Sequence, residues 1–157
     1  MPSTTSLNYY TFIPDDETEK DVYLQAHGTK FDGLERHVVI HWKNGELGDS
    51  PVTQLIQLSG IKGNFAYNSL VPVAKIRNSA TMDSHTQFYL GSFTREERRL
   101  LLDLAGNVQY ESTSTINGCR VWMRDLLLAM VGKDLISEET FDEIEHNVPL
   151  PTRLPER

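Results

Sequence analysis

The feature that most limits the fold is a change of period between Leu90 and Thr94. Up to Leu90 the apolar residues come in short runs, alternating or rich in β-branched and aromatic side chains, with turn residues between them. From Thr94 onward they recur at three- and four-residue spacing over longer segments. Alternation buries one face of a strand, and the longer period buries one stripe of a helix. Strands first and helices after predict an α+β domain, a largely antiparallel sheet of about five strands followed by three helices.

The strand candidates are Asn8–Ile13, Asp21–His27, Arg36–Trp42, Pro51–Leu58, Leu70–Arg77 and His85–Leu90. Arg-His-Val-Val-Ile-His-Trp at Arg36–Trp42 is the strongest. The Asn44-Gly45 pair after it predicts a hairpin turn within Lys43–Glu46. Pro14–Lys20 reads as an acidic turn, and Gly28–Glu35, Ser59–Ser69 and Asn78–Ser84 read as loops or turns. Pro72 pushes Leu70–Arg77 toward a sheet edge or a strand start.

In the second part, Thr94 and Glu97 form a capping box for a helix that runs to about Leu104 and ends at Gly106. A polar loop, Asn107–Gly118, leads to a helix over Cys119–Val131, closed by Gly132. Ser137 caps a third helix from Glu138 to about His146. Arg95, Arg98 and Arg99 stand among Glu96 and Glu97 and read as a solvated face. Trp42 and Trp122 read as core. Residues 1–7 read as a disordered N-terminus, 8–148 as a single domain, and 149–157 as a loose Pro-rich tail.

Composition narrows the function. A chain of 157 residues can bury a real core. The net charge of -7 argues against a general nucleic-acid binder, which needs clustered Lys and Arg. Met1–Asn8 lacks the apolar stretch of a secretory signal, and no run approaches the length of an integral membrane segment. A single cysteine excludes an intrachain disulfide and a CxxC metal framework. These features read as a soluble cytoplasmic protein whose reducing surroundings keep a lone thiol available. No cofactor motif stands out, and oligomeric state stays open, a homodimer included.

That thiol, Cys119, sits at the first turn of a largely apolar helix, with Val121, Trp122, Leu126, Ala129 and Met130 close to one stripe. Unpaired backbone N–H groups and the positive end of the helix dipole favour a thiolate there, and Arg120 and Arg124 add positive charge. The plainer reading of Cys119 is a small buried hydrophobe. A nucleophilic cysteine works with a base, usually histidine, held by a third polar group. His37 and His41 lie four apart in one strand, so both emerge on one face. His27 ends a neighbouring strand, His85 begins another, and His146 lies in the last helix. No carboxylate stands at ligand spacing to His37 and His41, so the metal ligands read as none.

His37-Val-Val-Ile-His41-Trp-Lys-Asn-Gly45 resembles the histidine box of the lecithin–retinol acyltransferase-like proteins, His-Trp-Ala-Ile-Tyr-Val-Gly-Asp-Gly. His37 falls on the family's catalytic histidine, His41 on its tyrosine, and Asn44-Gly45 on its turn. Asn117-Gly118-Cys119-Arg120-Val121-Trp122 is similar to the family's Asn-Cys-Glu-His-Phe-Val segment, where the cysteine starts a helix and accepts the acyl group. The resemblance covers Arg36–Gly45 and Asn117–Ile136, about a fifth of the chain. Three departures stand out: Gly118 replaces the asparagine before the cysteine, the third catalytic group has no clear counterpart, and no hydrophobic anchor follows the core. Gly-Cys-Arg-x-Trp, continuing through Lys133-Asp134-Leu135-Ile136, also resembles a family of small fungal proteins of unassigned function.

The first resemblance implies a permuted papain-like fold and acyl-transfer chemistry on a small molecule or peptide, as a hydrolase or acyltransferase. On that reading Cys119 attacks an acyl carbon, His37 moves the proton, and Gln54 or Gln57 orients the imidazole. Amides at the helix start stabilise the oxyanion. His41, His85, Asn117 and Arg120 are the candidates for holding substrate. Specificity would come from the loops Ser59–Ser69 and Asn107–Gly118. The alternative is a non-covalent pocket on the same fold, such as a cyclase or pericyclase of fungal secondary metabolism or a small-molecule-binding protein, with Cys119 structural.

Overall fold

The computed structural model describes residues 8–27, 37–67, 73–76 and 85–156. The expected disordered Met1–Ser6, the Gly28–Glu35 loop and the Asn78–Ser84 turn lie outside these residues, as do Arg36, Leu70–Pro72 and Arg77 of two expected strands.

Seven strands precede three helices among the described residues: β1 (Lys20–Ala26), β2 (Val38–Leu47), β3 (Ser50–Ile56), β4 (Ser59–Ile61), β5 (Asn64–Ala66), β6 (Val73–Ile76), β7 (Thr86–Phe93), α1 (Arg95–Asn107), α2 (Cys119–Gly132) and α3 (Glu138–Asn147). Five strands form one sheet in the order β6-β3-β2-β1-β7, and β4 and β5 form a separate hairpin. Every pairing is antiparallel. The domain is therefore α+β, an antiparallel five-stranded sheet followed by three helices.

Alternation along the strands decides which face meets the helices. Val22, Leu24 and Ala26 of β1 and Val38, Ile40 and Trp42 of β2 point to one side and are at most 1% exposed. They join Trp122, Met123, Leu126, Leu127 and Met130 of α2 in one core cluster. Each such side chain contributes about 1.5–3 kcal/mol by leaving water, so α2 is anchored chiefly by its apolar face. The far face of the sheet carries Tyr23, Gln25, Val39, His41, Gln87 and Tyr89, which face one another through the register of β1 with β2 and β7.

Several expectations meet a different arrangement. Asn8–Ile13 is a turn, not a strand: the Phe12 and Ile13 amides both donate to the Tyr9 carbonyl. Asn8 Oδ1 accepts from the Tyr10 and Ala74 amides, so a local side-chain bond displaces the extended form that the aromatic composition favours. Asn44-Gly45 does not turn the hairpin. β2 runs through it with a bulge between Lys43 and Gly45, and the chain reverses at Gly48-Asp49, where Gly48 has φ +63°. Asn44 is buried and donates to the Ile13 carbonyl and to Gln54, while a Cβ on Gly45 would meet Ile13 Cγ2 at 2.9 Å. The pair is a bulge that seats the turn before it. Part of the Ser59–Ser69 loop is the β4–β5 hairpin.

Two further corrections concern charge and the tail. The capping box of α1 forms as expected from Thr94 and Glu97, but Arg98 is fully buried and bidentate to Asp15 at 2.8 and 2.9 Å. Residues 149–156 are not loose; they are bonded along α2 and the loop before it. No described helix is long and apolar enough to cross a membrane.

Candidate functional site

Helix α2 begins at Cys119 with Gly118 as its N-cap, and no side chain caps it. The first turn of a helix carries amides with no acceptor inside the helix, and Cys119 sits among them, half-buried. The loop before it is closely held. Ser114 Oγ accepts from the Ile116 and Asn117 amides at 3.2 and 2.9 Å. On its other side the Gly63 and Phe65 amides of the β4–β5 hairpin donate to the Ser114 and Ser112 carbonyls. A Cβ on Gly118 would lie 3.3 Å from Phe65 Cζ, so glycine lets the hairpin close against the start of the helix.

Between hairpin, loop and helix lies a cleft of about 340 Å³. Gly60, Ile61, Lys62 and Phe65 wall one side, Thr115, Ile116 and Gly118 another, and both Cys119 and His37 line it. The two segments read as specificity loops thus supply the walls. His37 immediately precedes β2 and is half-buried. Its Nε2–H donates to Gln57 Oε1 in a very short hydrogen bond. The His37 ring also meets His27 edge-on at 5.3 Å, and His27 stacks on His85 at 4.5 Å. His27 and His85 continue the far-face rows of β1 and β7, so His37 stands at the end of the sheet, between that face and the cleft.

The remaining candidates lie elsewhere. Gln54 is fully buried, and its Oε1 accepts from Asn44 rather than from His37, which Gln57 holds. His41 packs on the far face, hydrogen-bonded to Gln87 at 2.8 Å and stacked on Tyr23; Gln87 in turn donates to Gln25. His85 stacks on His27, which in turn meets the cleft histidine edge-on. Asn117 is buried, and its amide is bonded to Leu154 and Glu156. Arg120 donates to the Pro149 carbonyl, and Arg124 donates to the Leu150 carbonyl and pairs with Glu145 at 2.8 Å. His27, which the sequence places at the end of a neighbouring strand without a role at the site, is the ring beside His37; its place one residue past β1, opposite His37, is the signal that could have joined the two.

Burial pushes the Tyr67 hydroxyl up to about 12, beside Trp122. Among the described residues no group of three or more His, Cys, Asp and Glu side chains is placed to hold a metal ion. No protein family, no curated protein and no solved structure matches the chain.

Proposed function

We propose that the protein is a cysteine- and histidine-dependent acyl-transfer enzyme, a hydrolase or acyltransferase acting on a small molecule or short peptide. One observation carries the reading: a thiol at a helix start and an imidazole held by a glutamine line the same solvent-reached cleft. His37 Nδ1 takes the proton from Cys119, and the thiolate adds to the acyl carbonyl carbon. The oxyanion lies toward the amides of the first helical turn, which point outward with the positive end of the dipole. The tetrahedral adduct collapses, His37 returns the proton to the leaving group, and an acyl-thioester remains on Cys119. Water or an acceptor, deprotonated by the same imidazole, releases it. Gln57 is the positioning residue for His37, a role that Gln54 leaves open.

Cleft volume and walls favour an acyl group of modest size with an apolar chain against Ile61, Phe65 and Ile116. A thiol used this way suits the reducing cytoplasm, where we place the protein. The resemblance to the lecithin–retinol acyltransferase-like proteins is consistent with this assignment. A second reading keeps a specific observation in its favour: the histidine, glutamine and tyrosine side chains of the far face form a polar row suited to polarising a substrate without a covalent step.

The test is intact-mass analysis after brief incubation with p-nitrophenyl acetate and butyrate. Acyl-transfer chemistry predicts one acyl adduct on Cys119, absent in Cys119→Ala and slow to form in His37→Ala. Turnover retained by Cys119→Ala would end this reading and leave the second.

A further inference from the structure

We infer that the C-terminal segment 149–156 is the element that positions Cys119, with Asn117 and Glu156 as its positioning residues. The inference rests on the reading of Cys119 as a nucleophile. Gly118, the residue between Asn117 and Cys119, has neither a Cβ nor a side-chain cap to fix the helix start. Glycine leaves the backbone free there, so something outside the helix has to define it.

The segment supplies that constraint through the Asn117 side-chain amide. Asn117 Nδ2 donates to the Leu154 carbonyl at 2.7 Å, and the Leu154 amide donates back to Asn117 Oδ1 at 2.9 Å. Glu156 Oε1 accepts from Asn117 Nδ2 at 3.0 Å and from Ser114 Oγ in a very short bond. Ser114 Oγ meanwhile accepts from the Ile116 and Asn117 amides, so its donor and both acceptor sites are used. One carboxylate therefore joins both side chains that shape the loop. Further back, Arg153 donates to Asp125 of α2 at 2.8 Å and to the Gln109 carbonyl at 2.6 Å. Arg120 and Arg124 of α2 hold the Pro149 and Leu150 carbonyls. The segment thus grips α2 at Arg120, Arg124 and Asp125 and the loop at Gln109, Ser114 and Asn117, on either side of Cys119.

Leu154 and Glu156 are themselves exposed, whereas Ser114 and Asn117 are buried. A change in Glu156 therefore disturbs the loop without opening the core. Released from Glu156, Ser114 and Asn117 lose a charge-assisted partner, the loop relaxes, and the helix start that favours the thiolate frays.

The experiment follows the rate of Cys119 alkylation by iodoacetamide against pH, in the full chain, with the thermal midpoint of each sample as control. Glu156→Ala and Asn117→Ala are expected to alkylate about tenfold more slowly at neutral pH, with the rate profile moved to higher pH. Glu156→Gln, which keeps an acceptor oxygen, is expected to restore most of the rate. Glu156→Ala lies on the surface and stays folded even where Asn117→Ala does not. A wild-type alkylation profile in Glu156→Ala, or a slowing that follows only the thermal midpoint, overturns the inference. Because the readout is alkylation, it stands apart from turnover: failure of Cys119→Ala to abolish turnover sinks the proposed function and leaves this measurement to be judged alone.

Discussion

Replacing Asp15 with alanine should unfold much of this protein's margin of stability. Arg98 is fully buried, and Asp15 is its only carboxylate partner among the described residues, with a side chain 7% exposed. The pair has two parallel contacts at 2.8 and 2.9 Å, and Arg98 is further held by the Phe93 and Asp16 carbonyls at 2.7 and 2.8 Å. Removing one member of a buried pair costs about 3–5 kcal/mol, because the other charge is left without compensation. The two carbonyls retained by Arg98 place Asp15→Ala at the lower end, about 3 kcal/mol. Against a total of about 5–15 kcal/mol this is a large fraction. For a chain of this length it lowers the thermal midpoint by roughly 6–12 °C. Urea unfolding followed by tryptophan fluorescence is a suitable assay, since both Trp42 and Trp122 are buried in the core. The control is Glu17→Ala, which breaks the Arg95–Glu17 pair at 3.1 Å, where Glu17 is 83% exposed; its cost should be negligible. Replacing both members, Asp15→Leu with Arg98→Met, should recover much of the loss. A cost for Asp15→Ala below about 1 kcal/mol, the range of exposed pairs, would refute the reasoning.

Three shorter predictions follow. Gly60→Ala should distort the cleft wall, because the residue has φ +106° and an added Cβ would lie 2.1 Å from the Asn64 carbonyl oxygen; hydrogen exchange at the Gly63 and Phe65 amides should accelerate, and unchanged exchange would contradict the geometry. Thr94→Ala removes the capping box of α1 and should cost about 1 kcal/mol by urea unfolding. In a spectrophotometric titration Tyr67, half-buried beside Trp122, should ionise near 12 rather than near 10. Because the folded state holds that proton longer than the unfolded chain, its contribution to stability is intact below pH 10 and falls as pH rises toward 12; loss of the high-pH step in Tyr67→Phe assigns it.

The parts of the fold legible in sequence are those where pattern and burial coincide. The apolar density of α2, the Thr94–Glu97 box and the alternation in β2 each have one low-energy outcome, and each forms. Asn44-Gly45 misleads because the same two residues serve a turn or a bulge, and Ile13 and Gln54, distant in sequence, decide between them. Arg98 misleads because its neighbours Glu96 and Glu97 suggest water, whereas its partner lies 83 positions away. The tail carries prolines that favour extended chain, and extended chain is what bonds to Asn117 and Arg153's partners. At the site, Cys119 and His37 share a cleft, and Gln57 rather than Gln54 holds the imidazole. Gln54 pairs with Trp42 on the core face, whereas Gln57, three residues on, falls on the opposite face, where it meets His37.

The central claim is that the thiol and the imidazole act together, and it is tested most directly by the alkylation rate of Cys119 near pH 6.5, compared among the folded protein, His37→Ala and the urea-unfolded chain. The account predicts that the folded protein reacts at least about tenfold faster than the unfolded chain and that His37→Ala removes the advantage. A folded protein no faster than its unfolded chain, or one whose rate is untouched by His37→Ala, would contradict it.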